Sequence, residues 1–284
     1  MDTVNIKAYA KINLSLDILG RREDGYHKLD TVMQQITLHD RIAISKNYGG
    51  LNVGSDLKTL PHGSGNIAYK AAELFYKRAG LQPRTDIFIS KEIPAEAGLG
   101  GGSADAAAVL NALNEIEGGI YSRIELTAMG AEIGADVPFC VLGGACRCRG
   151  IGEKLTELPS MPDCFIVICK PPVSVSTAEA YGLIDRKPSD IRYTPAMLSA
   201  LKSGEIKKIA AALGNHFDDA AELSEIGEIE KSMLGAGALG ALMTGSGSAV
   251  YGIFEEPERA ELCADLIGDL GRVFVASPFR AVGN

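Results

Sequence analysis

Hydrophobic and polar residues alternate strictly at the start of the chain. Every even position over 4–18 is apolar, a sustained period of two that predicts an extended strand. The odd positions share the opposite face, so Lys11 and Asn13 should point the same way. After a polar loop over 20–27, apolar residues recur at even positions within 32–44 and predict a second strand, antiparallel to the first.

Helical and extended patterns then follow in turn. A helix is predicted over 65–79, and a short strand over 86–93 leads into a glycine-rich loop. Residues 104–116 are strong helix formers with one apolar stripe, so a second helix should follow that loop.

The second half begins after a stretch rich in Gly, Pro and short polar residues over 150–163. This composition predicts a boundary between two domains, an N-terminal domain over 1–155 and a C-terminal domain over 156–284. The later elements are a strand over 164–169, helices between 176 and 236, strands near 239–243 and 248–254, a helix over 257–270 and a strand over 272–276. Interleaved helices and antiparallel strands predict an α+β fold.

Composition narrows the function classes. The 284 residues are 46% hydrophobic and 23% charged, which is typical of a folded globular protein rather than a disordered one. A net charge of -8 argues against nucleic acid or an anionic membrane as partner, since both attract clustered Lys and Arg. The alternating N-terminus is unlike a signal peptide, and no run approaches a membrane span. We therefore expect a cytoplasmic protein that acts on a small molecule.

Six cysteines raise the question of a zinc site. They lack paired CxxC spacings, and Cys146 with Cys148 cannot supply four tetrahedral ligands. The spacing favours reduced thiols over a metal site.

The glycine-rich loop over 94–105 carries the main chemical signal. Four glycines in five positions before a helix allow successive backbone N–H groups to face one anion, and the helix N-terminus adds partial positive charge. Ser103 is predicted to cap that helix and to offer its hydroxyl to a phosphate or its metal.

The pattern is not a Walker A loop, because Ser103 and Ala104 replace Lys and Ser/Thr after Gly102. It also lacks the final glycine of a dinucleotide fingerprint. The alternative is a tight turn without a ligand.

The loop contains no lysine, so other residues must offset the charge of a triphosphate. Lys11 and Lys91 are the candidates, although a lone lysine is usually solvated. Lys11 stands in a strand of small and apolar residues, and Lys91 precedes the glycine loop by a few positions.

An aspartate at a helix end is the candidate general base. Ser122 and Glu125 match a capping box for a helix that should stop at Gly134, and Asp136 follows, next to Pro138. Asp136 would accept the proton of a hydroxyl that attacks the terminal phosphate. The alternative is a turn aspartate that binds local backbone.

A second glycine-rich segment over 243–250, which includes Gly245, separates two predicted strands. Hairpin turns favour the same residues, so it is either a turn or a backbone clamp on substrate or on the phosphate loop.

Together, in this order and at these spacings, these segments resemble the signatures of the kinases named for galactokinase, homoserine kinase, mevalonate kinase and phosphomevalonate kinase, the GHMP kinases. The resemblance spans essentially the whole chain. Ala8–Leu14, Asp24–Leu29 and Gly100–Ser103 are similar to those members that phosphorylate a cytidine diphosphate derivative in the non-mevalonate isoprenoid precursor pathway.

The resemblance implies a fold and a reaction. The expected fold has an N-terminal mixed α/β domain and a ferredoxin-like C-terminal domain, with the active site in the cleft between them. The expected reaction transfers phosphate from ATP, with Mg2+, to an alcohol of the small-molecule substrate. Asp136 matches the catalytic base and Lys11 its partner, and an ammonium near Asp136 would keep that carboxylate ionised.

The resemblance also assigns binding residues. Those on the ATP side are Asn66, Lys91, Pro94, Gly98, Leu99, Gly100, Gly101, Gly102, Ser103 and Ala104. Those on the substrate side are Lys11, Asn13, Tyr26, His27, Asp136, Thr177, Tyr181 and Gly245. Tyr26 and Tyr181 should stack on cytosine, while His27 satisfies its Watson–Crick edge.

Some features stay open at this point. No metal ligand is assigned beyond Ser103. The oligomeric state is a monomer or a homodimer. Two other functions fit the same residues, namely another alcohol kinase of the superfamily and a nucleotide-binding regulator without chemistry.

Overall fold

A computed structural model describes residues 3–47, 49–61, 63–221 and 223–280. Two compact units interleave along the chain. The first unit comprises Met1–Ala10, His39–Ile93 and Gly100–Gly143, and the second unit comprises Lys11–Leu38, Pro94–Leu99 and Gly144–Asn284. The division into domains 1–155 and 156–284 stays a prediction.

Two long strands, β1 (Thr3–Arg21) and β2 (His27–Lys46), contribute residues to both units. Their positions confirm the predicted strands. The structure adds that both faces of β1 are buried within the second unit, where even Asp17 is 1% exposed. The Asp17 carboxylate accepts the backbone N–H groups of Tyr193 and Thr194 at the start of a helix, so the buried charge has partners.

The first unit packs helices against a small sheet. Its remaining elements are β3 (Leu51–Ser55), α1 (Ile67–Ala79), β4 (Thr85–Ser90), α2 (Gly101–Ile116), α3 (Arg123–Ile133) and α4 (Val137–Leu142). β4 runs antiparallel to residues 41–46 of β2 and parallel to β3. The apolar stripes predicted for α1 and α2 are buried where these helices pack together. The sequence did not predict β3 or α4.

In the second unit, one group of strands forms around β1 and β2. A hairpin of β5 (Ala145–Gly150) and β6 (Lys154–Leu158) pairs antiparallel with residues 29–34 of β2. The two-residue strand β8 (Gly214–Asn215) lies parallel to β1. The sequence did not predict this hairpin, and β6 falls in the stretch over 150–163 that was interpreted as a boundary.

A four-stranded antiparallel sheet forms the other layer of the second unit, in the order β11–β7–β10–β9. Its strands are β7 (Phe165–Lys170), β9 (Gly240–Met243), β10 (Val250–Phe254) and β11 (Arg272–Ala276). The helices of this unit are α5 (Thr177–Arg186), α6 (Thr194–Ser203), α7 (Ile206–Ala211), α8 (His216–Ala220), α9 (Ser224–Gly235) and α10 (Pro257–Leu266). All four strands were predicted, and the core includes Val167, Phe217, Met233 and Phe254.

Within these described ranges, no helix combines the length and the apolar character needed to cross a membrane.

Candidate functional site

The glycine-rich loop leads directly into α2. Gly98 and Gly100 have φ angles of 72° and 70°, a left-handed conformation that glycine adopts without strain. Gly100 is the N-cap of α2, and the N–H of Ala104 donates to its carbonyl at 2.9 Å. The first N–H groups of a helix have no partner within it, so those of Gly101, Gly102 and Ser103 are donors suited to an anion.

Ser103 does not cap α2, and that prediction is wrong. The helix begins three residues earlier than predicted, which places Ser103 inside its first turn. The reason is that Gly100 takes the left-handed N-cap conformation, so Gly101 and Gly102 enter the helix despite their weak propensity. A phosphate or metal role for the Ser103 hydroxyl stays a prediction.

Gly98 lies against the second glycine-rich segment. A Cβ added to Gly98 would stand 2.9 Å from the carbonyl carbon of Thr244, nearer still to its oxygen, and 3.3 Å from the nitrogen of Gly247. Backbone bonds hold this approach, because the N–H of Ala249 donates to the carbonyl of Ala97 at 3.2 Å. The N–H of Lys11 likewise donates to the carbonyl of Leu99 at 3.0 Å. The segment over 243–250, the glycine clamp, joins the antiparallel strands β9 (Gly240–Met243) and β10 (Val250–Phe254), as the hairpin interpretation predicted. Its backbone also contacts the glycine loop.

Lys11 belongs to a buried polar network in the second unit. Its ammonium donates to the Oδ1 of Asn13 at 2.8 Å, which confirms that the two side chains share a face of β1. The N–H of Asn13 donates to the Oγ1 of Thr244 at 3.0 Å, and its Nδ2 donates to the Oγ1 of Thr31 at 2.9 Å. The same ammonium lies 3.3 Å from the position that a Cβ on Gly245 would occupy. A cation, an amide and a glycine clamp thus meet at one place.

An aromatic and acidic cluster surrounds His27. Its ring stacks on Tyr181 with centroids 4.4 Å apart, and its Nε2 lies 2.7 Å from the Oδ1 of Asp185. This hydrogen bond lowers the pKa of Asp185. Tyr181 also meets Phe217 edge-on at 5.0 Å. Tyr26, next to His27, is exposed.

The sequence missed Asp185 and Phe217. The signal for Asp185 was available, because Tyr181 and Asp185 are four residues apart on α5 and so share one face of that helix. Phe217 carried no signal, because α8 is only five residues long. Thr177, at the start of α5, has its Oγ1 at 3.3 Å from the hydroxyl of Ser246, beside the glycine clamp.

Asn66 and Lys91, both predicted on the ATP side, have structural partners in the first unit. The Oδ1 of Asn66 caps α1 by accepting the N–H of Ala68 at 2.9 Å. The ammonium of Lys91 pairs with the carboxylate of Asp40 and donates to the Oδ2 of Asp105 at 2.8 Å. Their contact with ATP stays a prediction.

Burial and neighbouring charges together shift the pKa values of Lys91 and Asp105. Burial alone would lower the pKa of Lys91, but Asp105 and Asp40 outweigh it and raise that pKa. Burial raises the pKa of Asp105 to about 8, against the opposing effect of Lys91. At neutral pH this raised pKa favours the neutral form of the Asp105 carboxyl. The sequence missed Asp40, although it is a carboxylate at an even position of β2, where the neighbouring even positions are apolar.

Asp136 stands at the N-terminus of α4. α3 has the predicted capping box and ends at Ile133, with Gly134 as its C-cap, which confirms the predicted stop. Asp136 is the N-cap residue of α4, and its side chain makes no capping bond there. Lys11 lies in the second unit and Asp136 in the first, so their pairing stays a prediction.

Three residues predicted on the ATP side have buried positions. Leu99 and Ala104 are buried in the apolar core, and Pro94 is also buried. Among the described residues, no group of three His, Cys, Asp or Glu side chains is placed to hold a metal. All six cysteines are buried, and their reduced state stays a prediction.

Family models match both halves of the chain. The model of the GHMP kinases N terminal domain matches residues 66–144, and the model of the GHMP kinases C terminal domain matches residues 197–268. The protein named 4-diphosphocytidyl-2-C-methyl-D-erythritol kinase of Acetivibrio thermocellus is 43% identical over 263 residues, which cover 92% of this chain and 93% of that protein. The protein of the same name from Caldicellulosiruptor bescii is 46% identical, with 92% and 93% covered.

Solved structures of kinases match the fold of this chain over nearly its whole length. A crystal structure of 4-(cytidine 5'-diphospho)-2C-methyl-D-erythritol kinase matches with a TM-score of 0.83 and 35% identity, over 96% of this chain and 98% of that one. The homoserine kinase of Cytophaga hutchinsonii matches with a TM-score of 0.80 over 98% of this chain and 95% of that one. At 18% identity it supports the fold alone.

Proposed function

We propose that this chain, which belongs to the GHMP kinases and among them to the 4-diphosphocytidyl-2-C-methyl-D-erythritol kinase family, phosphorylates the 2-hydroxyl of that cytidyl substrate with ATP. The product would be an intermediate of the non-mevalonate isoprenoid precursor pathway. One observation carries the proposal beyond family membership. The buried ammonium of Lys11 lies beside a glycine clamp that also holds the phosphate loop.

The phosphate-binding part of the proposal rests on α2. The N–H groups of Gly101, Gly102 and Ser103 would bind the phosphates, helped by the positive end of the helix dipole. Magnesium would neutralise phosphate charge and orient the terminal phosphoryl group for transfer. Mg2+ commonly keeps waters and substrate phosphates as ligands. A metal that arrives with ATP would therefore need few protein ligands, and the Ser103 hydroxyl would be one of them.

The transfer step needs a base and a cation. Asp136 would accept the proton of the 2-hydroxyl as that oxygen forms a bond to the terminal phosphorus. The bond from this phosphorus to the bridging oxygen breaks, and ADP leaves with that electron pair. Lys11, oriented by Asn13, would stabilise the negative charge on the transferring phosphoryl group.

The cytidine end of the substrate would bind at the His27 cluster. Tyr181 stacks on His27 and meets Phe217 at a steep angle, so its ring is already held in place and would stack on a base at a low cost in side-chain entropy. Asp185 accepts a hydrogen bond from His27 in one tautomer and so fixes the ring for recognition of the cytosine edge. The exposed Tyr26 would close over the base, and Thr177 and Gly245 would line the path to Lys11.

The remaining assignments are also proposals. The protein would act in the cytoplasm, without nucleic-acid or membrane partners, as a monomer or a homodimer. The excess of acidic over basic residues supports the absence of a nucleic-acid partner.

A coupled assay of ADP release with MgATP and the cytidyl substrate tests this function. Asp136→Asn should lower kcat by about 10²–10⁴, because proton transfer to a positioned base contributes that much. The exposed carboxylate of Asp190 supplies the control, and Asp190→Asn should keep full activity. Retained turnover in Asp136→Asn would remove this residue from the base role.

A competition experiment separates the alternatives. Cytidine diphosphate should inhibit the reaction if the substrate is cytidyl, and should have no effect on a kinase that acts on another alcohol. ATP binding without transfer to any tested alcohol would instead favour a nucleotide-binding regulator.

A further inference from the structure

We propose that Asp40 is a positioning residue for the phosphates of ATP, acting through Lys91 on the first turn of α2. The proposal rests on the proposed function, because it takes that turn to be the phosphate cradle. All residues that carry it belong to the first unit.

Asp40 is a fully buried carboxylate that accepts from three donors. Its Oδ1 accepts the backbone N–H groups of Glu92 at 2.6 Å and of Ile93 at 2.8 Å. Its Oδ2 pairs with the ammonium of Lys91. Three donors on one carboxylate, including a cation, fix the backbone over 91–93 where the chain leaves β4 for the glycine loop.

Lys91 links the segment over 91–93 to α2 by a hydrogen bond. Its ammonium donates to Asp105, the fifth residue of α2, whose side chain is 4% exposed. A Cβ on Gly101, the first residue of α2, would stand 3.4 Å from the Lys91 ammonium and 3.0 Å from the Cγ2 of Ile93. The segment that Asp40 fixes therefore packs directly on the backbone of the helix start.

The consequence for ATP follows from what the cradle is made of. Its donors are backbone N–H groups, which have no side-chain freedom to correct an error in position. A small displacement of a positioning element weakens all of these contacts together. Asp40 is remote in sequence from α2, yet it holds the segment over 91–93 that packs on the start of that helix.

Asp105 forms the far end of the bridge, because its Oδ2 accepts a hydrogen bond from the Lys91 ammonium at 2.8 Å. Its Oδ1 is buried and makes no hydrogen bond to the described residues. A single ammonium, that of Lys91, therefore joins the carboxyl groups of Asp40 and Asp105.

Calorimetric titrations with MgATP and, separately, with cytidine diphosphate test this proposal. Asp40→Asn keeps the shape of the side chain but removes the charge that pairs with Lys91. It should weaken ATP binding at least about tenfold and leave the binding of cytidine diphosphate within twofold. In steady-state kinetics KM for ATP should rise while KM for the cytidyl substrate stays constant. The control is Asp86→Asn, an exposed carboxylate on the neighbouring strand β4 that should change neither.

A double-mutant cycle separates positioning from direct contact. If Lys91 acts through the bridge, Lys91→Met and Asp40→Asn weaken ATP binding to a similar extent, and the double variant is no weaker than the worse single variant. If Lys91 binds phosphate directly, its loss weakens ATP binding in both backgrounds, and Asp40→Asn alone has little effect. That second result would overturn the proposal.

The double variant keeps the proposal testable if Asp40→Asn alone fails to fold. It removes both charges at once, so it leaves no unpaired buried ion even if Asp40→Asn alone does not fold. ATP binding by the double variant within twofold of the wild type would contradict the proposal. The proposal about Asp40 is tested by ATP affinity and not by phosphate transfer. A wild-type protein that binds ATP but does not phosphorylate the cytidyl substrate would therefore refute the proposed function and leave the proposal about Asp40 standing.

Discussion

Replacing Gly98 by alanine should destabilise the protein more than the same change at another left-handed glycine. Both Gly98 and Gly80 have positive φ angles, of 72° and 66°. A Cβ at Gly80, the C-cap of α1, meets nothing within 4 Å, whereas at Gly98 it would overlap the carbonyl group of Thr244. The pair therefore separates backbone strain from steric overlap.

The magnitudes follow from that difference. Alanine in a left-handed conformation costs about 1–2 kcal/mol, which is all that Gly80→Ala should lose. In Gly98→Ala the new Cβ would also clash with backbone atoms of Thr244. Because both partners are backbone-bound, no side-chain rotation relieves the clash, and overpacking of this kind costs about 1–3 kcal/mol more. Urea unfolding of both variants measures the difference, and MgATP titration should show weaker binding only for Gly98→Ala.

Equal losses of stability in the two variants would refute this reasoning. It would mean that residue 98 does not approach Thr244 in solution, so the clamp on the glycine loop would not exist. A larger loss at residue 98 with unchanged ATP affinity would confirm the clamp but remove it from nucleotide binding.

Three further predictions concern single groups. The pKa of Asp105 is raised in the folded protein, so folding favours its neutral form. The unfolding free energy should therefore fall as pH rises from about 4 to about 8, where the unfolded chain loses this proton more readily than the folded protein. Asp105→Asn should flatten the pH dependence of the unfolding free energy by up to about 1.4 kcal/mol per pH unit relative to wild type, and an unchanged slope would contradict a neutral Asp105. Tyr181→Leu should weaken binding of cytidine diphosphate about tenfold or more and leave MgATP binding unchanged, as measured by calorimetry, and equal losses for both ligands would count against a stacking role. Burial raises the pKa of Cys164 to about 12 and those of Cys169 and Cys263 to about 11, so these thiols should resist alkylation at pH 7.5 until the protein unfolds, and rapid labelling of the native protein would contradict their burial.

The sequence predicted elements whose residues carry a strong local pattern. The period of two in β1, the capping box at Ser122 and the positions along the chain of the strands β7, β9, β10 and β11 all agree with the structure. The hairpin β5–β6 was missed because β6 falls in the stretch that was interpreted as a boundary, although Cys146 and Cys148 are small apolar residues that alternate with Arg147 and so follow a strand pattern. The helix α4 is too short for its period to be visible.

The candidate site was predictable only in part, for a physical reason. The phosphate loop was visible because glycine density is a local property of sequence. The partners Thr244 for Asn13, and Asp40 for Lys91, are far apart in the chain, and their contacts depend on tertiary packing. The alternating pattern identified Lys11 and Asn13 as neighbours, but it gave no sign that both faces of β1 are buried.

The identity of the phosphorylated product tests the central claim most directly. Phosphorus NMR of a reaction that contains this protein, MgATP and 4-diphosphocytidyl-2-C-methyl-D-erythritol should show ADP and a new phosphomonoester on the 2-oxygen, in equal amounts. No transfer to this substrate, together with transfer to mevalonate, homoserine or galactose that cytidine diphosphate does not inhibit, would contradict the claim.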